Sequence, residues 1–584
     1  MTEYVEVIDR DGPGRLSEVR LSEPFVAPAL LDDRLRDAGS NWPAEQTVPE
    51  PRDDVVTMLP HRGFPPGTDE RVIDAFDAEP PDFDGPAGTV ITDETAGNRG
   101  VDVYALSTAS ELIGHASAFC ETIIAVRESI PPDAALYLSG VATPANISLL
   151  AYAGVDLVDS TRARLAGSEG TYLTTDGAWP AATFETFPCA CSACERNESD
   201  DDREACIEHN VATLRAELTR TRERIRQGRL RAYVSAQIRH STWQTAAFRT
   251  FQQEGSYLER HEPIYRRSSF TATTEDDLKH PAVTRFIRRV THRYRNRFRT
   301  PLVLVPCSAT KPYTESQSHG QFRGAIDYRA QRVSLSSPIG VVPQELECTY
   351  PAQHYDVPVT GEWSATERAV VGDALERYLE RNEYQRIIAH VAPGPYRDIV
   401  EQVASSLELD IEYTVEDHPT TGASLQALSD ALEGELKYSR PRRRSNTIRA
   451  IADYQFGEHA GDELFGAIEI EAPWPKHRVL DEAGTLLATM VPEYGVLALT
   501  LAGAKLWDES DVYTRRVRID DFVPHGDVLA PGIIDADDDI RVGDEVIVDG
   551  PSAYAIGRAT MNGREMREST RGVAVDIRHR EERQ

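Results

Sequence analysis

The chain has 584 residues, a formal net charge of −32 and a pI near 4.9. This length exceeds what one hydrophobic core supports, so roughly three to five domains are expected. Hydrophobic residues make up 40% of the chain, which is enough for sizeable cores. No stretch approaches the roughly 20 apolar residues that span a bilayer, and the polar start MTEYVEVIDRDGPG is unlike a signal peptide. We therefore expect a cytoplasmic protein.

The charged residues are mostly acidic, and lysine is scarce among the basic ones. Acidic residues occur along the whole chain, and the basic residues are almost all arginine. This composition suits a halophilic archaeon, because strong salt screening removes the self-repulsion of an acidic surface; an ordinary acidic protein is the alternative. The same screening means that the net charge does not exclude RNA binding.

The predicted elements fall into successive regions. Residues 1–95 are rich in proline and aspartate, and from about residue 101 strand-like and helical patterns alternate, which indicates a parallel α/β sheet or barrel. A long amphipathic helical region follows near residues 209–239. A second α/β unit begins with the strand-like PLVLVP at residue 301. After SRPRRRSN (439–446), which is predicted as a basic linker, short strands with turn signals indicate small all-β modules.

A cluster of cysteines lies between these two α/β regions. Cys189, Cys191 and Cys194 are followed by Cys206 and His209. Tight clustering of cysteines favours a metal site over a disulfide framework, with an incidental or redox cluster as the alternative. Three thiolates and either Cys206 or His209 would complete a tetrahedral, structural Zn²⁺ site.

A dense polar run, PCSATKPYTESQSHGQF (306–322), directly follows the first strand of the second α/β unit. It places a thiol, an amine, a phenol, hydroxyls and an imidazole close together and has no apolar face. Open α/β sheets bind ligands beyond the carboxyl ends of their strands. The run is therefore the candidate reaction centre, and a buried cysteine beside a turn is the alternative.

The metal motif and its surroundings resemble the tRNA-guanine transglycosylase family. The resemblance rests on C-x-C-x-x-C followed by His-Asn, on GVDLVDSTRARLAGSEGTYLTTDG and on LERHEPIYRRSSF. It implies a (β/α) barrel with a zinc subdomain over residues 1–297, and it favours His209 as fourth ligand. Asp159 matches the family's nucleophilic aspartate, but VYALSTASEL stands where a base-gripping Asp-Ser-Gly-Gly motif is expected. Base exchange is therefore not expected, and Asp159 is left as either a substrate-binding or a residual structural group.

The C-terminal part resembles RNA-binding modules. Residues 511–584 resemble a PUA domain, a small β-barrel that holds structured RNA, and residues 437–510 resemble the β-rich domain that precedes it in archaeal transglycosylases. Such a module implies phosphate contacts, which position RNA rather than reading its sequence. The candidate RNA-binding residues are Arg515, Arg516, Arg558, Arg564 and Arg571.

The order of these regions, with PC-x-x-x-KPY-x-x-S-x-SH within residues 298–436, resembles the archaeosine synthase family (alpha subunit). The resemblance implies a multidomain α/β protein that acts on tRNA carrying 7-cyano-7-deazaguanine at position 15. It implies addition of an amine, with lysine the expected donor, to the nitrile on the route to archaeosine. A radical-SAM partner subunit is implied for the next step.

The polar run fits this chemistry. Cys307 is the expected nucleophile, because a thiolate adds to a nitrile to give a thioimidate that an amine converts to an amidine. Lys311 or His319 is expected to favour the thiolate, and His319 is expected to shuttle protons. Tyr313, Ser316 and Ser318 are expected to bind the deazaguanine edge or the carboxylate of the donor.

Two other functions are kept open. One is a transglycosylase that inserts the deazaguanine base itself. The other is a non-catalytic tRNA-binding subunit that presents substrate to a partner. The sequence does not fix the donor, the set of tRNAs or the oligomeric state, for which a homodimer is one option.

Overall fold

The computed structural model describes residues 3–39, 48–65, 67–77, 79–196 and 202–583. The chain divides into two compact units. The first comprises Met1–Glu262, Asp527–Arg541 and Thr560–Ala574, and the second comprises Pro263–Gly526, Val542–Ala559 and Val575–Gln584. Within the described ranges, no helix has the length and apolar character needed to cross a membrane.

Residues 1–262 alternate between short strands and helices. The strands are β1 (Val5–Asp11), β2 (Gly14–Val19), β3 (Phe25–Ala27), β4 (Ala29–Leu30), β5 (Leu35–Asp37), β6 (Val56–Met58), β7 (Ala87–Ile91), β8 (Val103–Leu106), β9 (Ala135–Leu138), β10 (Leu157–Val158), β11 (Thr171–Thr174) and β12 (Gly177–Pro180). The helices are α1 (Glu70–Phe76), α2 (Ala109–Leu112), α3 (Ala116–Ser129), α4 (Ile147–Tyr152), α5 (Thr161–Ser168), α6 (Ser192–Arg196), α7 (Arg203–Arg226), α8 (Leu230–Gln237), α9 (Thr242–Phe251) and α10 (Gly255–His261).

A seven-stranded sheet is the centre of the first unit, in the order β4-β10-β9-β8-β7-β6-β5. Every neighbouring pair is parallel. Strands β8 and β9 are buried throughout, as their unbroken apolar sequences require of strands covered on both faces. In the part of the chain that is described, β4 and β5 do not pair with each other. The predicted transglycosylase-like fold is thus confirmed in the form of a curled half-barrel.

The second α/β region has its own sheet. Its strands are β13 (Phe270–Thr271), β14 (Leu302–Pro306), β15 (Gln331–Ser336), β16 (Gly340–Pro343), β17 (Tyr355–Asp356), β18 (Ile387–Ala389) and β19 (Ile411–Tyr413), and its helices are α11 (Pro281–His292), α12 (Gln317–Ile326), α13 (Ala365–Arg381), α14 (Pro395–Ser406) and α15 (Gly422–Ala431). The main sheet has the order β16-β15-β14-β18-β19. Its strands are parallel except for β16, which pairs antiparallel with β15.

A smaller mixed region follows. Its elements are α16 (Arg440–Phe456), α17 (Ala460–Leu464), β20 (Glu469–Glu471), β21 (Arg478–Leu480), β22 (Leu486–Val491), β23 (Val496–Leu499) and α18 (Leu501–Glu509). Strands β20 to β23 form an antiparallel sheet.

The basic segment 439–446, predicted as a linker, instead begins helix α16. Pro441 lies in the first turn of the helix, where its missing N–H costs nothing. Ile448 and Ile451 are fully buried farther along the same helix. The helix is therefore held by its apolar side, and the prediction of a linker was wrong because the cluster of arginines hid the start of that pattern.

The C-terminal elements are β24 (Arg516–Ile519), β25 (Val528–Leu529), β26 (Ile533–Ala536), β27 (Glu545–Asp549), β28 (Ala553–Ala559), α19 (Gly563–Glu568) and β29 (Val573–Glu582). Within the second unit, β24 runs parallel to β27, and β28 pairs antiparallel with both β27 and β29. The predicted small β-rich modules at the end of the chain are confirmed.

Candidate active site and metal centre

The polar run 306–322 lies at the carboxyl edge of the second unit's main sheet. From the central strand β14 the chain passes through α12 to β15 on one side, and it later returns to β18 on the other side of β14. The strand order therefore reverses between β14 and β18. Ligands of open α/β sheets bind in the crevice outside the strand ends at such a point. Cys307 directly follows β14 and lies at this crevice.

Cys307 is half-buried and faces a tyrosine of the helix that follows the neighbouring strand β18. Its backbone N–H donates to the carbonyl of Leu335 at 3.1 Å. Its Sγ lies 3.2 Å from the hydroxyl oxygen of Tyr396, in the first turn of α14. That helix begins after Gly394, whose φ of +117° glycine adopts readily. Burial and the negative charge of the thiolate raise the pKa of Tyr396, so its hydroxyl stays protonated and can donate to sulfur.

Lys311 lies close to the same thiol. Its Nζ is 3.9 Å from the centroid of the Tyr355 ring, a cation–π distance. Burial lowers the pKa of Lys311, while the nearby charges of the Cys307 thiolate and the Asp356 carboxylate act in the opposite direction. The amine therefore lies in the electrostatic range of the thiol, and burial makes it less basic than an exposed lysine.

Buried hydroxyls lie beneath this group. The hydroxyl oxygens of Tyr313 and Tyr355 are 2.6 Å apart, and Tyr355 also contacts Ser336 Oγ. Burial is the largest cause that raises the pKa of Tyr313 and of Tyr355. Both phenols therefore stay neutral, and Tyr313 packs between Tyr355 and His319.

His319 has an environment different from the one expected of a proton shuttle. Its side chain is fully buried, its Nε2–H donates to the carbonyl of Pro306 at 3.0 Å, and its ring stacks on Tyr313 with centroids 4.8 Å apart. Burial and the charge of Arg332 lower the pKa of His319 to about 3. A neutral imidazole supplies no positive charge to Cys307, so the geometry favours a positioning role for His319.

The two predicted serines lie at the start of α12. Ser316 is buried and immediately precedes the helix, and Ser318 is half-buried in its first turn. Their hydroxyl oxygens are 2.9 Å apart. The pair lies a few residues after Lys311 and Tyr313 in the polar run, at the point where α12 begins.

Asp159 lies at the end of β10 in the first unit and is held by hydrogen bonds. Its Oδ2 accepts from the hydroxyls of Tyr137 at 2.8 Å and Ser139 at 2.6 Å, and from the N–H of Gly140 at 3.0 Å. Its Oδ1 accepts from the N–H of Thr161 at 2.9 Å. Burial alone would raise the pKa of Asp159, but these hydrogen bonds outweigh it and lower the pKa. Both carboxylate oxygens therefore already accept hydrogen bonds from the protein.

The predicted metal ligands come together in the first unit. The ligand atoms of Cys189, Cys191, Cys194 and His209 all lie within 4.8 Å of one another. With metal–sulfur bonds of about 2.3 Å, thiolates of a tetrahedral site lie roughly 3.8 Å apart, so this arrangement fits Zn²⁺. Cys206 points elsewhere, with its Sγ 3.4 Å from the carbonyl of Thr171.

Helix α7 presents His209 in a fixed orientation. Its Nε2–H donates to the carbonyl of Leu173 at 2.9 Å, so Nδ1 faces the sulfurs of Cys191 and Cys194. The ring stacks on Tyr172 with centroids 3.7 Å apart. The adjacent Asn210 accepts from the N–H of Leu173 and ties the helix to β11. Such outer contacts fix the tautomer of a metal ligand, and they explain why histidine and asparagine stand together.

The five C-terminal arginines differ in availability. Arg515 is buried and lies 3.5 Å from Asp544. The others are half-buried: Arg516 pairs with Asp508, Arg558 with Asp576, and Arg564 with Glu568. Arg571 is half-buried as well. Their role toward RNA stays a prediction, and burial makes Arg515 the least accessible of the five.

Tyr396, Tyr355 and Trp363 were missed by the sequence reasoning. Trp363 packs against Tyr396 with ring centroids 4.6 Å apart. One signal was present: VAPGPY (391–396) begins two residues after the last residue of β18, and two neighbouring parallel strands end at the same sheet edge.

Family models match most of the chain. "Queuine tRNA-ribosyltransferase" matches residues 91–242, "Domain of unknown function (DUF5591)" residues 283–432, "Patch-forming domain C2 of tRNA-guanine transglycosylase" residues 446–513, and "PUA domain" residues 518–580. The reaction centre proposed from the polar run thus falls in the region whose model carries no function.

Relatives extend over the whole chain. An archaeosine synthase from Haloferax volcanii is 55% identical over 100% of both chains, and its source fits the predicted halophilic composition. An archaeosine synthase subunit alpha from Methanosarcina acetivorans is 39% identical over 99% of both chains. A tRNA-guanine(15) transglycosylase from Methanobrevibacter smithii is 25% identical over 82% of this chain and 72% of its own. The chain therefore belongs to the archaeosine synthase family and is an enzyme of archaeosine formation.

Proposed function

We propose that this enzyme adds an amine, with lysine the expected donor, to the nitrile of 7-cyano-7-deazaguanine at position 15 of tRNA, through a thioimidate on Cys307. The observation that carries the proposal is the Cys307 thiol at the reversal point of the sheet, with the Tyr396 hydroxyl 3.2 Å from its sulfur. The lysine amine at position 311 lies beside them on the face of Tyr355.

The steps balance without an oxidant or a reductant. The thiolate sulfur adds to the nitrile carbon, and the nitrile nitrogen takes one proton, which gives a thioimidate. The donor amine then attacks the same carbon, the carbon–sulfur bond breaks, and the thiolate returns while the amine loses a proton. Covalent catalysis of this kind replaces one difficult addition with two easier steps.

The surrounding side chains transfer the protons and form the surfaces that bind the substrate. Lys311, whose pKa burial lowers, gives a proton to the nitrile nitrogen and recovers one from the donor amine. Tyr396 donates a hydrogen bond to the departing thiolate. Trp363 and Tyr396 offer aromatic faces to the deazaguanine, and the hydroxyls of Ser316 and Ser318 bind its edge or the donor's carboxylate.

The environment of Asp159 supports this reaction over base exchange. A transglycosylase needs an aspartate free to attack the ribose, whereas Asp159 already accepts hydrogen bonds on both oxygens. The nitrile route leaves the glycosidic bond intact and needs no such nucleophile. The PUA domain supports tRNA as the substrate, and a radical-SAM partner would process the adduct.

We further propose that Cys189, Cys191, Cys194 and His209 hold a structural Zn²⁺. All four tetrahedral positions are then filled by protein, so the ion would tie residues 189–194 to helix α7 and take no part in the reaction. Metal analysis of the purified enzyme should find one zinc per chain. His209→Ala should lose it and Cys206→Ala should keep it; the reverse pattern would move the fourth ligand to Cys206.

The direct test of the reaction is trapping. Wild-type enzyme and cyano-modified tRNA without any amine should accumulate a protein–RNA adduct that survives denaturation and is released by lysine. Cys307→Ala should form none, whereas Cys348→Ala, which removes a buried thiol of the same unit, should form it normally. Normal turnover by Cys307→Ala would refute the thioimidate.

A further inference from the structure

A groove lined by arginines lies in the second unit, next to the polar run. Its volume is about 520 Å³, and α12, β15 and the start of α16 contribute to its walls. Neither Cys307 nor its neighbours Lys311, Tyr355 and Tyr396 are among its lining residues. Its principal lining residues are Arg323, Arg332, Arg440, Arg443, Arg444 and Trp474.

Four of these arginines have no carboxylate partner. In the described part of the chain, Arg323, Arg440, Arg443 and Arg444 make no ion pair within 4.0 Å, although the protein carries 95 acidic and 63 basic residues. Elsewhere in the second unit, arginines such as Arg297 pair closely with carboxylates. An acidic protein that leaves positive charge unpaired around one groove is suited to an anionic ligand.

The N-terminal turn of helix α16, which is the positive end of the helix dipole, lines the same groove. The helix is 17 residues long, begins at Arg440, and has no side-chain cap on Ser439. Basic side chains near a helix N-terminus oppose the helix dipole, whereas anions are stabilised there. The sequence thus places Arg440, Arg443 and Arg444 where the fold itself disfavours them, and a bound anion would remove that conflict.

Arg332 provides an independent sign of a ligand. Its side chain is only 3% exposed, and one Nη donates to the Glu347 carboxylate at 2.7 Å. Its Nε and its other Nη are buried without a hydrogen-bond partner among the described residues. Buried donors without acceptors are costly, and a phosphate oxygen in the groove would satisfy a guanidinium well.

Aromatic rings at the rim narrow the class of anion. Trp474 is 38% exposed and Tyr328 is 46% exposed, and Arg443 stacks on Tyr328 at 3.5 Å from the ring centroid. Charged grooves with exposed aromatic rings bind nucleic acid through its phosphates and stacked bases. A single amino-acid carboxylate would leave most of these guanidiniums unneutralised. We infer that this groove binds the phosphodiester backbone of the RNA substrate, with a base against Trp474.

The inference rests on tRNA being the substrate and is independent of the Cys307 chemistry, so binding of unmodified tRNA tests it. Affinity would be measured over a series of KCl concentrations in which circular dichroism shows every variant folded. Arg323→Ala, Arg440→Ala and Arg444→Ala should each weaken binding several-fold. Each should also reduce the slope of log affinity against log salt by roughly 0.7–0.9, the value for one lost phosphate contact.

Two further variants sharpen the test. Arg442→Ala is the matched control, because Arg442 is exposed on the same helix, lies over Tyr438 and is not among the groove residues; it should change neither affinity nor slope. Trp474→Ala should weaken binding about tenfold without changing the slope, since stacking involves no phosphate.

The outcomes separate this inference from the proposed function. If the groove variants bind tRNA as wild type does while the Cys307 adduct still forms, the inference is wrong and the proposed function stands. Unchanged tRNA binding with a raised KM for the amine donor would assign the groove to the donor and would also overturn the inference. If the wild-type enzyme itself does not bind tRNA, both the groove inference and the proposed function are wrong.

Discussion

Asp159 and Cys307 occupy comparable places in the two α/β sheets of this chain, and the two sites differ in what surrounds the nucleophilic atom. Each residue directly follows a parallel strand, β10 or β14. Asp159 is buried and accepts hydrogen bonds on both carboxylate oxygens. Cys307 is half-buried, and its sulfur contacts the Tyr396 hydroxyl. Both residues therefore share a position at a strand end and differ in how far the reactive atom is already engaged by the protein.

Under the proposed function, this difference would assign the reaction to the second sheet rather than to the half-barrel. The half-barrel lies in the region that matches the transglycosylase family model and carries the four candidate metal ligands, and its Asp159 carboxylate is hydrogen-bonded on both oxygens. The second sheet provides a thiol, an amine and aromatic walls. We expect substitutions in the first site to affect mainly stability and those in the second to affect mainly rate.

The largest effect expected beyond Cys307 itself concerns Lys311. Lys311→Met should slow adduct formation by about 10²–10⁴-fold, the usual loss when a general acid is removed. In wild type the ammonium is the acid, so the rate should fall as pH rises through its pKa, which burial places below the ordinary 10.5. The rate of adduct formation without amine, measured as a function of pH, reports this alkaline decrease directly.

Lys311→Arg is the informative control for that profile. Arginine keeps the positive charge but does not release a proton in this pH range. We expect a slow enzyme whose alkaline limb is gone. A wild-type rate in Lys311→Met would show that the nitrile nitrogen is protonated by another group, such as water.

A smaller effect is expected at His319. His319→Gln keeps an N–H donor for the Pro306 carbonyl and should retain activity within about tenfold, well short of the loss of a general acid–base. His319→Ala leaves a cavity and an unpaired carbonyl and should lower the free energy of unfolding by about 2–4 kcal/mol. Denaturant unfolding and adduct rates, measured on both variants, separate the two effects.

The pH dependence of the wild-type rate also tests whether His319 transfers protons. The pKa of His319 is lowered to about 3, so this side chain should produce no step in rate between pH 5 and pH 8. A step in that window that disappears in His319→Gln would restore His319 as the proton shuttle expected from the sequence.

Local spacing made part of this site predictable. The apolar strand before residue 306, the polar run after it and the C-x-C-x-x-C motif are all short-range patterns, and the structure places the metal ligands together as the sequence indicated. Tyr396 lies 89 residues from Cys307. It reaches the sulfur only because β14 and β18 are neighbours in the sheet, and strand order is not encoded in any local pattern.

The basic segment 439–446 illustrates the opposite limit. A run of arginines with a proline is typical of a linker, and only the buried residues of α16 farther along the chain make it helical. The groove likewise combines residues 323, 332, 440 and 474 from separate elements. The sequence showed only a basic segment, because the cavity that brings these residues together depends on tertiary packing.

The smallest effect on rate, and the sharpest test of the comparison, is expected for Asp159→Asn. The amide replaces an acceptor oxygen with a donor that faces the Tyr137 and Ser139 hydroxyls, so we expect a loss of about 1–3 kcal/mol in unfolding free energy and nearly unchanged adduct formation. The hydrogen bonds hold the pKa of Asp159 below its ordinary value, so the stability it contributes is present above the unfolded pKa near 3.8 and is lost as pH falls through the lower folded value. The difference between wild type and Asp159→Asn should therefore be full at neutral pH and shrink below about pH 4. Ser139→Ala, which removes a single donor, should cost less than Asp159→Asn. A folded Asp159→Asn enzyme that forms no adduct would place the chemistry in the half-barrel and reverse the assignment of the two sites.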